Sequence, residues 1–262
     1  MKKLIILLAA ILFQQILIAQ TMDSLPAPAL KLDLTLFDLP YQFDAAKTVN
    51  NGKSNIGGFF KGYANPSMSQ SLSVTSSFYN ASHYGLDRLF NVQDRYWDTK
   101  FVNILLHLAT ISVFDSYASY APGAEGWLHE EFHRAVMTRG HVNSFNDMNT
   151  FPVGQELVSV NNIKDEDLIR FKKEKPYDFI RMHVAGIEGE YLLIDRLQRD
   201  NFFYNQNITH EITYLLSSLN SILYVSSSAD PDEVNVHTDE MNLKEKNISD
   251  RDFTGFDFTA WA

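Results

Sequence analysis

Apolar residues recur at intervals of three and four between Glu125 and Arg139, where Trp127, Leu128, Phe132, Val136 and Met137 share one face. No proline interrupts them and Gly140 marks a stop, so the pattern predicts an amphipathic helix that buries those side chains. Pro176 opens a second helical pattern from Tyr177 to Arg199, with Ile180, Val184, Ile187, Tyr191 and Ile194 or Leu197 on its buried stripe. Between the two, Lys164 to Lys173 predicts a short charged helix, acidic at its start and basic at its end as the helix dipole favours. Asp98 to Tyr117 is apolar from Phe101 to Phe114 except for Asn103, His107 and small hydroxyls. That run is too short to cross a bilayer and reads as a buried core helix. Ile212 to Val225 is similar, with Ser217, Ser218 and Asn220 on it. Gln70 to Phe78 alternates Leu72, Val74 and Ser76 against Ser71, Ser73 and Thr75, which predicts a strand. The fold class expected is mainly α with minor β.

The flanks divide the chain further. Residues 1–19 read as an export leader: Lys2 and Lys3 form a basic start, Leu4 to Phe13 an apolar run, and Ala19 a small residue at the cut, although Leu17 departs from the preferred pattern and leaves an uncleaved anchor as the alternative. Residues 20–66, with Pro26, Pro28, Pro40 and paired glycines, read as an extended arm with turns. Residues 67–228 hold the helical patterns. Residues 229–262 begin polar and end in an aromatic-rich stretch at which the chain looks cut short. The expected location is exported, periplasmic or envelope-associated. The two apolar helices leave a membrane-associated form open.

Charge and cysteine content narrow the chemistry. A formal charge of −10, more negative still without Lys2 and Lys3, has the wrong sign for nucleic acid as a partner. There is no cysteine, so any metal must use His, Asp or Glu, and no disulfide can hold the fold.

Such donors occur on the first helix. His129-Glu130-Glu131-Phe132-His133 is H-E-x-x-H, which on an α-helix sets two imidazoles one turn apart with a carboxylate beside them. A catalytic Zn²⁺ takes three protein ligands and a water, and His129 and His133 supply two of the three. Glu130 is placed to act as general base toward a metal-activated water. The third ligand is sought downstream. His141 lies eight residues after His133 and would need an irregular turn, while the metzincin positions hold Val136 and Arg139. The later helix carries Glu188 and Glu190 among apolar residues, between glycines that suggest tight packing. Glu188 is favoured as ligand, because it shares a side with Tyr191 and Asp195, and Asp195 could then orient a ligand histidine through its other ring nitrogen. Glu190 is the alternative. His183, His141 and Tyr191 are the candidates for oxyanion support, and Arg134 is expected to pair with an acid.

With these residues the chain resembles a gluzincin-type HExxH zinc metallopeptidase. Glu188-Gly189-Glu190-Tyr191 with Asp195 is similar to the E-[FY]-x-A-D helix of the membrane-associated branch, though here the Asp falls five residues after Glu190 or seven after Glu188, and Ile194 replaces the Ala. The resemblance covers roughly Trp127 to Arg199. It implies a zincin-like helical core, a Zn²⁺ cofactor, peptide or protein substrates and an edge strand near 70–78 along which substrate lies. Two other readings compete: a catalytically inactive zinc-stabilised envelope scaffold or sensor, and a structural envelope protein without metal.

Overall fold

The computed structural model describes residues 30–33, 66–93, 100–146, 160–161, 163–205 and 207–228. The expected leader, most of the expected N-terminal arm and the segment after 228 lie outside the described residues. The described chain is mainly helical: α1 (Met68–Gln93), α2 (Lys100–Ala118), α3 (Glu125–Arg139), α4 (Asp165–Glu174), α5 (Pro176–Asp200) and α6 (Glu211–Ser228). A π-helical turn, Asn201–Asn205, and a 3₁₀ turn, Ile208–His210, join α5 to α6. The strands described are two residues long, β1 (Phe145–Asn146) antiparallel to β2 (Val160–Asn161), with Phe145 opposite Asn161.

The strand expected at 70–78 is helix, and the reason is local. Ser67 and Gln70 form a reciprocal capping box: the Ser67 Oγ accepts from the Gln70 N–H at 3.2 Å, and the Gln70 Oε1 accepts from the Ser67 N–H at 2.8 Å. From that start α1 buries Ser71, Thr75, Ser76, Tyr79, Asn80, His83 and Asp87, a helical stripe made almost wholly of polar residues. The alternation read as a strand sits on top of this helical period.

α3 and α5 form the centre. Leu128, Phe132, Val136 and Met137 of α3 pack with Phe179, Met182, Leu193 and Leu197 of α5, and α4 closes one end with Leu168 and Phe171. At Gly189 an added Cβ would lie 2.9 Å from the Phe132 ring, so glycine permits the approach. The end of α3 departs from a glycine-stopped helix. His141, not Gly140, takes the left-handed conformation (φ 57°), the Val142 N–H donates to the Met137 carbonyl, and the His141 N–H donates to that of Thr138. This is a Schellman closure. Gly140 is needed instead for space, since a Cβ there would meet the Phe171 ring at 2.4 Å.

The inward face of α5 matches the expected one in part, with Ile187, Ile194 and Leu197 buried. Phe179, Met182, Gly186, Gly189, Glu190, Leu193 and Leu197 are buried, whereas Ile180 and Tyr191 are exposed. Gly186 and Gly189 mark the closest approach to α3, between Phe179 and Met182 on one side and Leu193 and Leu197 on the other. α2 also departs from expectation: only 22% of Phe101–Ala118 is buried, so it is no core helix.

Candidate metal centre

α3 presents Glu125, His129 and His133 on successive turns, all buried. The His133 Nδ1 lies 2.5 Å from the Met182 carbonyl of α5. A carbonyl can only accept, so Nδ1 carries the proton and Nε2 the lone pair. The His129 Nδ1 lies 2.7 Å from Glu190 Oε1, and donation of the Nδ1–H to that oxygen sets the same tautomer there. Ser221 Oγ of α6 donates to the other Glu190 oxygen, and the Tyr224 ring stands edge-on to His129 at 5.2 Å. The two imidazole centroids are 4.8 Å apart. Imidazoles that share one zinc at Zn–N distances of about 2.0–2.1 Å have centroids about 5 Å apart.

Gly186 makes this packing feasible. A Cβ on it would lie 2.4, 2.5 and 2.5 Å from Nε2, Cδ2 and Cε1 of His129. Near-equal distances to three ring atoms put the glycine over the face of the imidazole, not in line with the Nε2 lone pair.

The acids expected from α5 separate in an unexpected way. Glu188 is half-exposed and accepts from Arg181 NH2 at 3.0 Å, so it does not face the histidines. Glu190 does, but it meets Nδ1 of His129, the position of an orienting partner rather than of a ligand. Asp195 pairs with Arg199 at the surface and touches no histidine, and Tyr191 is exposed. Both therefore drop out of the orienting role expected of them. Among the described residues no group of three or more His, Asp or Glu side chains is arranged to hold a metal ion. The donor set fits a metal at two corners, and the expected third does not come from α5.

The remaining motif residues have distinct surroundings. Glu130 is buried. Glu131 is held by Arg134 NH1 at 2.8 and 3.0 Å and by Asn146 Nδ2 at 2.9 Å, which ties β1 to α3. Arg134 NH2 also donates to the Ser144 carbonyl. Glu125, absent from the sequence expectations, is buried, and its Oε1 has no hydrogen-bond partner. Burial, with the Glu190 charge second, pushes its carboxyl up to about 7, against a Ser217 hydrogen bond that lowers it. His183 is buried edge-on to Phe179, while His141 is exposed.

A second polar cluster, also unforeseen, lies between α1, α2 and the start of α6. His83 Nε2 meets Asp115 Oδ1 at 2.8 Å, and Thr213 Oγ1 donates to Asp115 Oδ2 at 2.6 Å. His107 and His210 take one oxygen each of Asp87, at 2.8 and 3.1 Å. Five buried His and Asp side chains thus partner one another across three elements. Their sequence signal was the i, i+4 pair His83 and Asp87 and the lone His107 and Asp115 in an apolar run.

Comparison with protein-family models, with curated proteins and with solved structures finds no match to this chain. The chemistry is therefore argued from residues and geometry.

Proposed function

We propose that the chain is an exported HExxH-type zinc hydrolase of peptide bonds, built on a zincin-like pairing of α3 with α5. One observation carries the reading: each motif histidine has its Nδ1–H held by an acceptor on α5, the Met182 carbonyl or the Glu190 carboxylate. Metal-ligating histidines are oriented in this way, with the other ring nitrogen left basic. Bound zinc would lower the pKa of water to about 7 and polarise a carbonyl.

The chain's own residues carry the rest. His129 and His133 hold the ion. Glu190 fixes the tautomer and angle of His129, and Ser221 steadies Glu190. Glu130, next to His129 in a buried setting, takes a proton from the attacking water and passes it to the leaving amine. Glu131 and Arg134 neutralise each other and hold the helix in place.

A second reading is a zinc-stabilised scaffold or sensor without turnover; it requires four closed protein ligands where the hydrolase requires three, and among the described residues no third donor converges for either. Zinc content and digestion of a peptide library, measured on the wild type and on Glu130→Gln, separate the two. Zinc retained in both with cleavage only in the wild type supports the hydrolase; zinc in both with cleavage in neither supports the scaffold. Equal cleavage by both removes Glu130 from the base role.

A further inference from the structure

α2 and α6 are built inside out. Along α2 the buried residues are Asn103, His107, Ile111 and Asp115, whereas Phe101 (63%), Leu105, Leu106, Val113 (58%) and Tyr117 (80%) are exposed. Along α6 the buried residues include Thr213, Ser217 and Ser221, whereas Leu219, Ile222 (58%), Leu223 (64%) and Val225 are exposed. A helix on the surface of a water-soluble protein shows the opposite arrangement, with a charged outer face. Here the outer faces carry no charge at all: no Asp, Glu, Lys or Arg occurs from Phe101 to Phe114 or from Ile212 to Ser228.

The two helices pack against each other. Contacts of His107 with Thr209 and of Asp115 with Thr213 show them running in the same direction. Exposed aromatics lie at one end of each helix. Tyr117 and Tyr120 are exposed where α2 finishes, and Phe202, Phe203 and Tyr204 are exposed ahead of α6. Phe101–Ala118 passes as a membrane span by length and composition. At 1.5 Å per residue, 19 residues reach about 28 Å, close to the roughly 30 Å of a bilayer's hydrocarbon core.

We propose that α2 and α6 form a lipid-facing wall: their outer sides contact the hydrocarbon of a bilayer, and their inner sides enclose the His83, Asp87, His107, Asp115 and His210 cluster. Hydrocarbon fits better than a protein partner, because an apolar, uncharged outer surface with aromatics at the helix ends, backed by a polar interior whose side chains partner one another, is the pattern lipid imposes. The proposal does not depend on the zinc reading.

The absence of cysteine makes the test direct. The full chain carrying Leu105→Cys, Val113→Cys or Leu223→Cys, and Lys173→Cys on α4 as control, is nitroxide-labelled and reconstituted in phosphatidylcholine vesicles. Accessibility to oxygen and to a water-soluble nickel chelate is then read at each site. The expected result is oxygen-to-nickel ratios several-fold higher at the three outer positions than at Lys173. Nickel access equal to that at Lys173 overturns the proposal, as does dipolar broadening from a second copy, or shielding from both relaxants without vesicles. A Leu105→Lys, Val113→Lys, Leu223→Lys variant, altered only at exposed positions, is expected to fold and to lose most vesicle association. Retained association also overturns the proposal.

Discussion

The α3/α5 interface and the α2/α6 pair both bury histidines and acids, yet they treat their apolar residues in opposite ways. In the first, Leu128, Phe132, Met182 and Leu193 surround the polar groups and shield them from water. In the second, the polar groups take the interior and the leucines and aromatics turn outward. Hydrophobic content alone therefore says that a helix is covered, not by what. Position of the polar minority decides: charged residues outside indicate water, and polar residues inside with none outside indicate an apolar environment.

The contrast can be broken most forcefully at the Glu131–Arg134 ion pair beside the two motif histidines. Arg134→Ala leaves Glu131 buried without its counter-charge and is expected to cost about 3–5 kcal/mol in urea unfolding. The paired change Arg134→Met with Glu131→Gln should recover much of that loss, and no recovery would contradict the pairing. Glu125 gives the next largest effect, and it depends on pH. Its folded-state pKa is raised to about 7, so the stability it contributes is fully present below about 4.5 and is lost as pH rises through about 7. Unfolding at pH 5 and pH 8 should show the wild type losing about 2–3 kcal/mol relative to Glu125→Gln across that window. Parallel curves would place Glu125 in water.

Smaller changes sharpen the account. Gly186→Ala must displace the His129 ring and is expected to destabilise by about 1–3 kcal/mol, read as a shift of the urea midpoint. Glu190→Gln is expected to weaken zinc about 10- to 100-fold by equilibrium dialysis while Glu188→Gln leaves it unchanged. At the small end, His141→Gly should raise stability by about 1 kcal/mol by relieving the left-handed backbone, and a loss would contradict the Schellman closure.

Helix positions were legible where sequence supplied ends as well as a period. Pro176 and the Glu125 to Gly140 stretch placed α5 and α3 within a residue or so. What failed was the assumption that large apolar residues point inward. On α5 it held for Ile187, Ile194 and Leu197 but not for Ile180 and Tyr191; Glu188, preferred for the side it shares with Tyr191 and Asp195, faces out with them, and the alternative, Glu190, faces His129, where Gly186 and Gly189 mark the close approach. The same assumption made a strand of the start of α1, whose buried stripe is serine, threonine and asparagine, and a core helix of α2. The motif histidines were legible because H-E-x-x-H is a local pattern. Glu125, Ser221 and the His83 to His210 cluster were not, since each acquires its role only when separate helices meet.

Zinc-edge X-ray absorption on the purified protein tests the central claim most directly. The account predicts about one zinc per chain with two imidazole shells near 2.0–2.1 Å, reduced to one by His133→Ala and by His129→Ala. A protein that takes up no zinc, or whose zinc environment is unchanged by either substitution, contradicts it.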